Sequence, residues 1–241
     1  EFPGGCEPFG ITVVSPTEIW FTCWGVNSLG RLDPTGPTWD RFLINDTPLP
    51  DPPVEIAFDD DGRAWFTMHT GTGSTPGFGW IDPADTTQPA SGWISSASFV
   101  QPHGIVFHSD ALWFVDHGWN AAESAIIRVE PTTKEWVAHQ LTDEVDDAHF
   151  LTVGPKGRLY TVGFVSASIA LFDPTTQTFQ TEWLENDDIR PMGVATAPDR
   201  RIWYADAGAD LAESGGLGRY TPMGPSALAV GFFESMAATE D

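Results

Sequence analysis

Short apolar runs and polar turns alternate along this chain in a pattern that recurs five times. The clearest copy is PHGIVFHSDALWFVDHG, residues 102–118, in which two apolar runs flank the polar turn at residues 108–110. Runs of this length, rich in β-branched and aromatic residues and joined by a polar turn, predict a β-hairpin. Two further apolar runs follow at residues 125–129 and 136–139. Each copy therefore predicts four antiparallel strands.

The five copies are almost evenly spaced. Between the first residues of their aromatic pairs, the intervals are 45, 48, 47 and 43 residues. These anchors are Trp20, Trp65, Trp113, Tyr160 and Trp203. Such a period, with several short strands per unit, is typical of a β-propeller, because a single blade cannot bury its own faces and must pack against its neighbours. The sequence therefore predicts an all-β fold, a five-bladed β-propeller of four-stranded antiparallel blades.

The five blades account for the 241 residues as a single domain, residues 1–241. The predicted blades are residues 8–46, 53–97, 102–141, 148–185 and 191–233. Seven blades would leave only about 34 residues each, too few for four strands and their loops. We expect the aromatic anchors to pack between neighbouring blades.

The predicted topology brings two positions of every copy to one face of the ring. One is the middle residue of the PxG motif at the start of the first strand, and the other follows the aromatic pair at the end of the second strand. Four of the six histidines fall at or next to these positions: His69, His103, His117 and His149. The other two, His108 and His139, fall in a hairpin turn on the opposite side and on an outer strand. The pattern thus predicts a histidine-rich site on one face.

The repeated PxG, the aromatic pair and the segments LGRLDP at residues 29–34 and GWIDP at residues 79–83 resemble the virginiamycin B lyase (streptogramin lyase) family. The resemblance covers nearly the whole chain. It implies a seven-bladed ring, a magnesium ion, and opening of an ester-like C–O bond by elimination without water. It also implies a general base at a PxG histidine, beside a histidine of the neighbouring blade and a carboxylate after the aromatic pair.

Carried over to this sequence, the paired PxG histidines are His103 and His149, and the carboxylate is Asp116. After His149 the corresponding position is Gly163, which departs from the family pattern. The residues themselves favour the same site, because a histidine can take a proton from carbon when a neighbouring carboxylate or metal stabilises the resulting charge. The predicted catalytic residues are therefore His103, His149 and Asp116.

Further side chains on this face are candidates for binding a substrate or a metal. The substrate-binding candidates are His69, His117, Trp24, Trp119 and Arg190. The acidic loop before His149 offers Asp146 and Asp147 as ligands for a divalent cation, Mg²⁺ or Ca²⁺, since both ions prefer oxygen. Any one of these residues is more often a hydrogen-bonded or solvated loop residue, and that alternative stays open for each.

The net charge of the chain excludes some classes of binding partner. Eleven basic and 34 acidic side chains give a net charge of −23, whose field repels nucleic acid and anionic membrane surfaces. No apolar run approaches the length of a membrane span. We therefore expect a monomer that acts on a small molecule or a glycan.

The two cysteines lie close together in the predicted fold. Cys6 precedes the first PxG motif and Cys23 follows the second strand of the same blade, so that both fall on one end of neighbouring antiparallel strands. Their position predicts a disulfide, with two buried thiols as the alternative. A disulfide is typical of an extracellular protein, so we expect this one to be secreted.

Two classes of function are consistent with these features. The first is a secreted lyase that acts by β-elimination on a lactone or ester, or on a uronic-acid-containing glycan. The second is a non-catalytic carbohydrate-binding propeller, a lectin, which would stack sugars on Trp24 and Trp119. A lectin of this fold should repeat its site in every blade, but the PxG position holds Phe9, Val54, His103, His149 and Met192. This asymmetry favours the enzyme.

Overall fold

The computed structural model is built almost entirely of β-strands. It describes residues 5–36, 38–44, 52–68, 76–84, 92–117, 124–142, 144–184, 188–208, 215–222 and 232–237, the last range as backbone only. The only helical segments in these ranges are two 3₁₀ turns, Trp24–Val26 and Pro155–Gly157. The chain divides into two compact units, residues 1–116 with 128–137 and residues 117–127 with 138–241.

In the part of the chain that the structure describes, twenty strands form five sheets of four. In blade one they are β1 (Pro8–Ser15), β2 (Glu18–Cys23), β3 (Ser28–Leu32) and β4 (Trp39–Leu43). In blade two they are β5 (Pro53–Phe58), β6 (Ala64–Met68), β7 (Gly77–Ile81) and β8 (Gly92–Ser95). In blade three they are β9 (Pro102–His108), β10 (Ala111–Asp116), β11 (Ala125–Val129) and β12 (Trp136–Gln140). In blade four they are β13 (Ala148–Val153), β14 (Leu159–Gly163), β15 (Ser168–Asp173) and β16 (Thr178–Trp183). In blade five they are β17 (Pro191–Thr196), β18 (Ile202–Asp206), β19 (Gly216–Thr221) and β20 (Phe232–Ala237).

Each sheet is an antiparallel meander in chain order. The fold is thus a five-bladed β-propeller, as the repeat predicts. Strand β20 ends at Ala237, whereas the repeat predicts that blade five ends at residue 233. Its pairing with β19 extends to Gly216 opposite Ala237, which carries the outer strand further along the chain.

The first hairpin of blade three shows how local sequence sets the register. Ser109 and Asp110 adopt the left-handed conformation with φ of 51° and 58°. Two such residues form a tight turn whose twist matches that of the flanking strands, and Asp tolerates this conformation better than most residues. The turn pairs His108 with Ala111 and Val106 with Trp113. Beyond a register shift after Phe114, Pro102 lies opposite Asp116 at the end of the hairpin that carries the candidate residues.

Aromatic anchors pack between blades, as expected. Trp20 of blade one is fully buried in a cluster with Ile56 and Phe66 of blade two. Tyr160 of blade four is buried in a cluster with Ile202 and Tyr204 of blade five. Burial of such large rings stabilises the contact between blades, since a single blade cannot bury both of its faces.

Buried threonines connect neighbouring blades by hydrogen bonds. The Thr22 hydroxyl accepts from Gly10 N (2.8 Å) in its own blade and donates to Val54 O (2.8 Å) of blade two. The Thr67 hydroxyl similarly donates to His103 O (2.6 Å) of blade three. Each bond holds the start of the next blade's first strand, so Thr67 helps to fix the backbone of His103.

One face of blade one is apolar and partly exposed. The strand register places Ile11, Val13, Ile19, Phe21, Leu32 and Trp39 on the face opposite to that of Trp20. Phe21 is covered by the disulfide segment, but Ile11 and Val13 are 66% and 67% exposed. We call these six residues the outer face of blade one.

Cys6 and Cys23 form a disulfide, which confirms the predicted pairing. Both cysteines are buried and pack with Phe21, against the partly buried Val26, Leu32 and Trp39. The bridge therefore ties the N-terminal segment to the end of β2.

No helix in the ranges described above has the length and hydropathy that crossing a membrane requires.

Glu55 places a carboxyl group between the first strands of blades one and two. It occupies the glycine position of the PxG motif in blade two, and its side chain lies so close to Gly10 that a Cβ there would press against Glu55 and the carbonyl of Val54. Burial raises the pKa of Glu55 to about 8, although the backbone hydrogen bond from Ile56 opposes the change.

We expect replacing Glu55 with glutamine to flatten the dependence of stability on pH. Between pH 4.5 and about 8 the folded state keeps a proton that the unfolded state loses, so the wild-type protein becomes less stable as pH rises through this window. Below the window both states are neutral, and above it both are ionised. Glu55→Gln should therefore raise the free energy of unfolding at pH 8 by about 4 kcal/mol and have little effect at pH 4.5. Urea unfolding at several pH values measures this, with the exposed Glu135→Gln as control. An equal gain at both pH values would contradict it.

Candidate functional site

The carboxylate of Asp147 lies between two histidines, one in blade four and one in the segment before β11. His117 Nδ1 lies 2.7 Å from Asp147 Oδ1, and His149 Nε2 lies 3.2 Å from Asp147 Oδ2. The two imidazoles stack with their centroids 4.4 Å apart. His117 directly follows β10, whereas Asp147 precedes β13 and His149 is its second residue.

The local chain conformation explains how Asp147 reaches both rings. Asp147 has a φ of 59°, a left-handed conformation that Asp adopts more readily than most residues. Its carbonyl accepts a hydrogen bond from Phe164 N (3.1 Å), which secures the turn to the end of β14. This left-handed turn, and not the alternation of an extended strand, brings Asp147 against His149.

The site is shielded from water. His117, His149 and Asp147 are 1%, 7% and 8% exposed. The Phe164 ring meets His149 edge-on, with centroids 5.6 Å apart. In such surroundings a charge interacts more strongly with its neighbours than it would in water.

The environment keeps Asp147 ionised. Burial alone would raise its pKa, but the hydrogen bonds and charges of His117 and His149 outweigh burial and hold the pKa well below its ordinary value. The pKa of His117 is lowered, first by burial and also by the charge of His149, although its bond to Asp147 opposes the change. The arrangement can stabilise a positive charge on His149.

Asp116 has a different set of partners from those expected of a residue that orients a histidine. Its carboxylate accepts hydrogen bonds from Val100 N (3.0 and 3.1 Å) and Gln101 N (2.6 Å). Asp206 holds the same position in blade five, where it accepts from Arg190 N and Gly208 N (2.9 Å each). Both carboxylates cap the loop before their own blade. Burial raises the pKa of Asp116 to about 6, against the effect of these amides. Its predicted catalytic role stays a prediction.

His103 is also buried, at the start of β9. The Phe9 ring lies edge-on to it, with centroids 5.9 Å apart.

The other predicted site residues have varied surroundings. Trp24 packs against Phe9 with ring centroids 5.4 Å apart. The Arg190 guanidinium donates to Ile189 O (3.0 Å). Asp146 is exposed, and its backbone N donates to the Ser166 hydroxyl (3.0 Å). His69 and Trp119 lie outside the described residues, so their roles stay predictions.

The sequence-based prediction missed the pairing of Asp147 with His149. It assigned Asp147 to a metal with its neighbour Asp146, whereas both carboxylate oxygens of Asp147 face histidines. No sequence pattern signals this contact, because it depends on the left-handed conformation of Asp147. His117 was predicted to bind substrate because it directly follows β10, the second strand of blade three. That position does not indicate its contact with Asp147.

The described residues do not fit the magnesium ion that the family resemblance implies. Mg²⁺ needs oxygen ligands in near-octahedral geometry. Position 163 is glycine, and a Cβ built there would overlap the Ser166 hydroxyl and crowd that of Ser168. Asp147 is engaged by two imidazoles and Asp116 by two backbone amides. The carboxylate that would complete an oxygen site is therefore replaced by a pair of serines.

Together, the five blades and the buried histidine–carboxylate site define a lyase-like β-propeller. The sequence model of the virginiamycin B lyase family matches residues 2–214, most of the chain. The chain belongs to this family.

Solved structures give the same fold. A catalytically inactive histidine-to-alanine variant of virginiamycin B lyase from Staphylococcus aureus with quinupristin has a TM-score of 0.78. It is 16% identical, and the match covers 98% of this chain and 72% of that one. A streptogramin B lyase is 18% identical with a TM-score of 0.62, covering 100% and 86% of the two chains. A chain of a nidogen/laminin complex is 17% identical with a TM-score of 0.67, covering 88% and 76%. No curated protein matches the sequence significantly. At these identities, the likeness shows the fold alone.

Proposed function

We propose that this protein is a lyase that breaks a C–O bond by β-elimination, with His149 as the base. Membership of the virginiamycin B lyase family supports a lyase. The observation that carries the proposal is the position of Asp147, whose carboxylate lies against both His117 and His149 in a buried site. This is the arrangement that a base needs when it must become positively charged away from water.

The chemistry follows from the two nitrogens of His149. Nε2 faces Asp147 and carries the proton, so Nδ1 supplies the lone pair. Nδ1 takes a proton from a carbon next to a carbonyl group. The electron pair of that C–H bond forms a C=C bond, and the bond from the β-carbon to oxygen breaks, with its electrons leaving on the oxygen. The reaction consumes no water, and Asp147 stabilises the imidazolium that forms.

The proposed elimination defines the substrate class. The substrate needs a hydrogen made acidic by a neighbouring carbonyl group and an oxygen leaving group on the next carbon. A lactone or ester with this pattern satisfies it, as does a uronic-acid-containing glycan. Trp24, which packs against the exposed Phe9, stays a proposed stacking surface for the apolar side of a substrate.

We propose an extracellular location and action as a monomer on a small molecule or glycan. The Cys6–Cys23 disulfide is consistent with an oxidising compartment. The net charge of −23 argues against nucleic acid and anionic membranes as partners.

The proposal is tested by offering the purified protein a panel of lactones, depsipeptide esters and uronic-acid polysaccharides. Elimination should produce the ultraviolet absorbance of a conjugated double bond. Mass spectrometry separates it from hydrolysis, because a lactone opened by elimination keeps its mass whereas hydrolysis adds one water. Water addition would contradict the proposal. Binding to a glycan array without turnover of any member of the panel would favour the lectin instead.

A further inference from the structure

Two residues on the outer face of blade one are exposed, although the repeat buries their counterparts in blade two. Ile11 and Val13 on β1 correspond to Ile56 and Phe58 on β5, counted from the proline that begins each strand. In blade two this pair receives the ring of Trp20 from blade one, whose centroid lies 5.4 Å from that of Phe58. Ile56 is 3% exposed, whereas Ile11 is 66% exposed. Ile11 is therefore not covered as its counterpart is.

The counterparts of Ile11 further along the chain are buried as well. Ile105 of blade three and Leu151 of blade four are 6% and 7% exposed. Val194 of blade five packs against a cluster that includes Tyr160, the anchor of blade four. In both of these clusters between blades, the aromatic anchor of one blade covers this position in the next. The partner that fits Ile11 and Val13 is therefore a β-sheet whose second strand presents a large aromatic ring.

Blade five presents such a ring, and this ring is more exposed than its counterparts. Trp203 is half-buried. Its guanidinium neighbour is the same as that of Trp20, because Arg219 lies 5.7 Å from the Trp203 centroid and Arg31 lies 5.8 Å from that of Trp20. The other four anchors are at most 3% exposed: Trp20, Trp65, Trp113 and Tyr160.

A leucine beside each of these two rings shows the same difference. Leu29 and Leu217 both begin the segment Leu-Gly-Arg, and the strand register places Leu217 on the same side of its sheet as Trp203. Leu29 is fully buried in the cluster that Trp20 shares with blade two, whereas Leu217 is 52% exposed. Blade five thus carries the side chains with which blade one contacts blade two. We call Trp203, Leu217 and Arg219 the anchor face of blade five.

We propose that the anchor face of blade five binds Ile11 and Val13, on the outer face of blade one, in a second copy of this chain. The Trp203 ring then packs against Val13 as the Trp20 ring packs against Phe58. Because the two surfaces differ, the copies associate head to tail and not through one self-complementary patch. Neither surface includes a residue of the candidate site, so each copy acts on its substrate without the other.

Sedimentation equilibrium in about 1 M sodium chloride tests the proposal, because salt screens the repulsion between copies that each carry a charge of −23. The average mass should rise with concentration above that of a single 26.2 kDa chain. Val13→Glu should weaken the association about tenfold or more, since it places an unpaired carboxylate in an apolar contact. The control is Val137→Glu on β12, where the valine is 55% exposed, and it should leave the association unchanged. A single chain at every concentration would overturn the proposal, as would association that Val13→Glu does not weaken.

A mixing experiment identifies the two surfaces. Trp203→Ala removes the ring from the anchor face and keeps Ile11 and Val13, whereas Val13→Glu does the reverse. At a concentration where the wild type associates, each variant alone should remain a single chain. Their equimolar mixture should form dimers and nothing larger, because one intact surface of each kind remains. A mixture that stays monomeric contradicts the proposal, and Leu217→Glu takes the place of Trp203→Ala if that variant does not fold.

Discussion

Replacing His149 with alanine should lower the rate of elimination by about 10² to 10⁴-fold, the usual contribution of a positioned general base. The imidazole removed is the one whose Nε2 faces Asp147, so the variant loses both the proton acceptor and the charge that Asp147 stabilises. The measurement is kcat/KM on the substrate found in the panel, together with Tm to establish that the variant is folded. His149→Gln repeats the test with a side chain that fills more of the buried space.

Two histidines outside the site serve as controls for the His149 variant. His108 contacts the neighbouring Ser109 hydroxyl in its hairpin turn (3.1 Å), and His139 packs against Phe172 on an outer strand. His108→Ala and His139→Ala should retain activity. If His149→Ala and His103→Ala both retain it as well, the site assignment is wrong, whatever chemistry the protein performs.

Removing the disulfide should destabilise the protein by about 3 kcal/mol. The bridge joins residues 17 positions apart, and closing a loop of this size restricts the unfolded chain by roughly that amount. The change is Cys6→Ala with Cys23→Ala, because serine would bury a hydroxyl at position 23, which is fully buried. Chemical unfolding of the double variant and of the wild type gives the difference.

Chemical reduction independently checks how much the Cys6–Cys23 disulfide stabilises the protein. A reducing agent should lower the Tm of the wild-type protein and leave that of the double variant unchanged. Equal Tm values for the oxidised wild type and the variant would show that packing of the N-terminal segment over Phe21, rather than the bridge, holds it in place.

The blade architecture could be predicted because it depends on features repeated along the chain. Five aromatic anchors at intervals of 43 to 48 residues and a polar turn in each copy define five hairpins. Trp20 and Tyr160 are then buried between blades, because their strands have nowhere else to place rings of that size. The end of the last strand could not be predicted in this way, because no turn residue marks Ala237. The register of the last strand pair sets that end.

The partners of the carboxylates could not be predicted in the same way. Asp116 and Asp147 both lie near the PxG face, and their sequence positions do not reveal which of them meets a histidine. The choice depends on where the loop before each blade runs. Val100 N and Gln101 N approach Asp116 and satisfy it, whereas the left-handed turn at Asp147 directs its oxygens to imidazoles. Loop conformation of this kind depends on contacts between distant parts of the chain.

The outer face of blade one has a consequence for the behaviour of the protein in solution. A partly exposed apolar surface that includes Ile11 and Val13 favours contact between copies at short range. The net charge of −23 opposes that contact at long range. Salt shortens the reach of the charge, to about 10 Å at 0.1 M and about 3 Å at 1 M, without weakening the apolar attraction. The colloidal stability of this protein is therefore electrostatic in origin, and it is greatest at low ionic strength and far above the isoelectric point of 4.2.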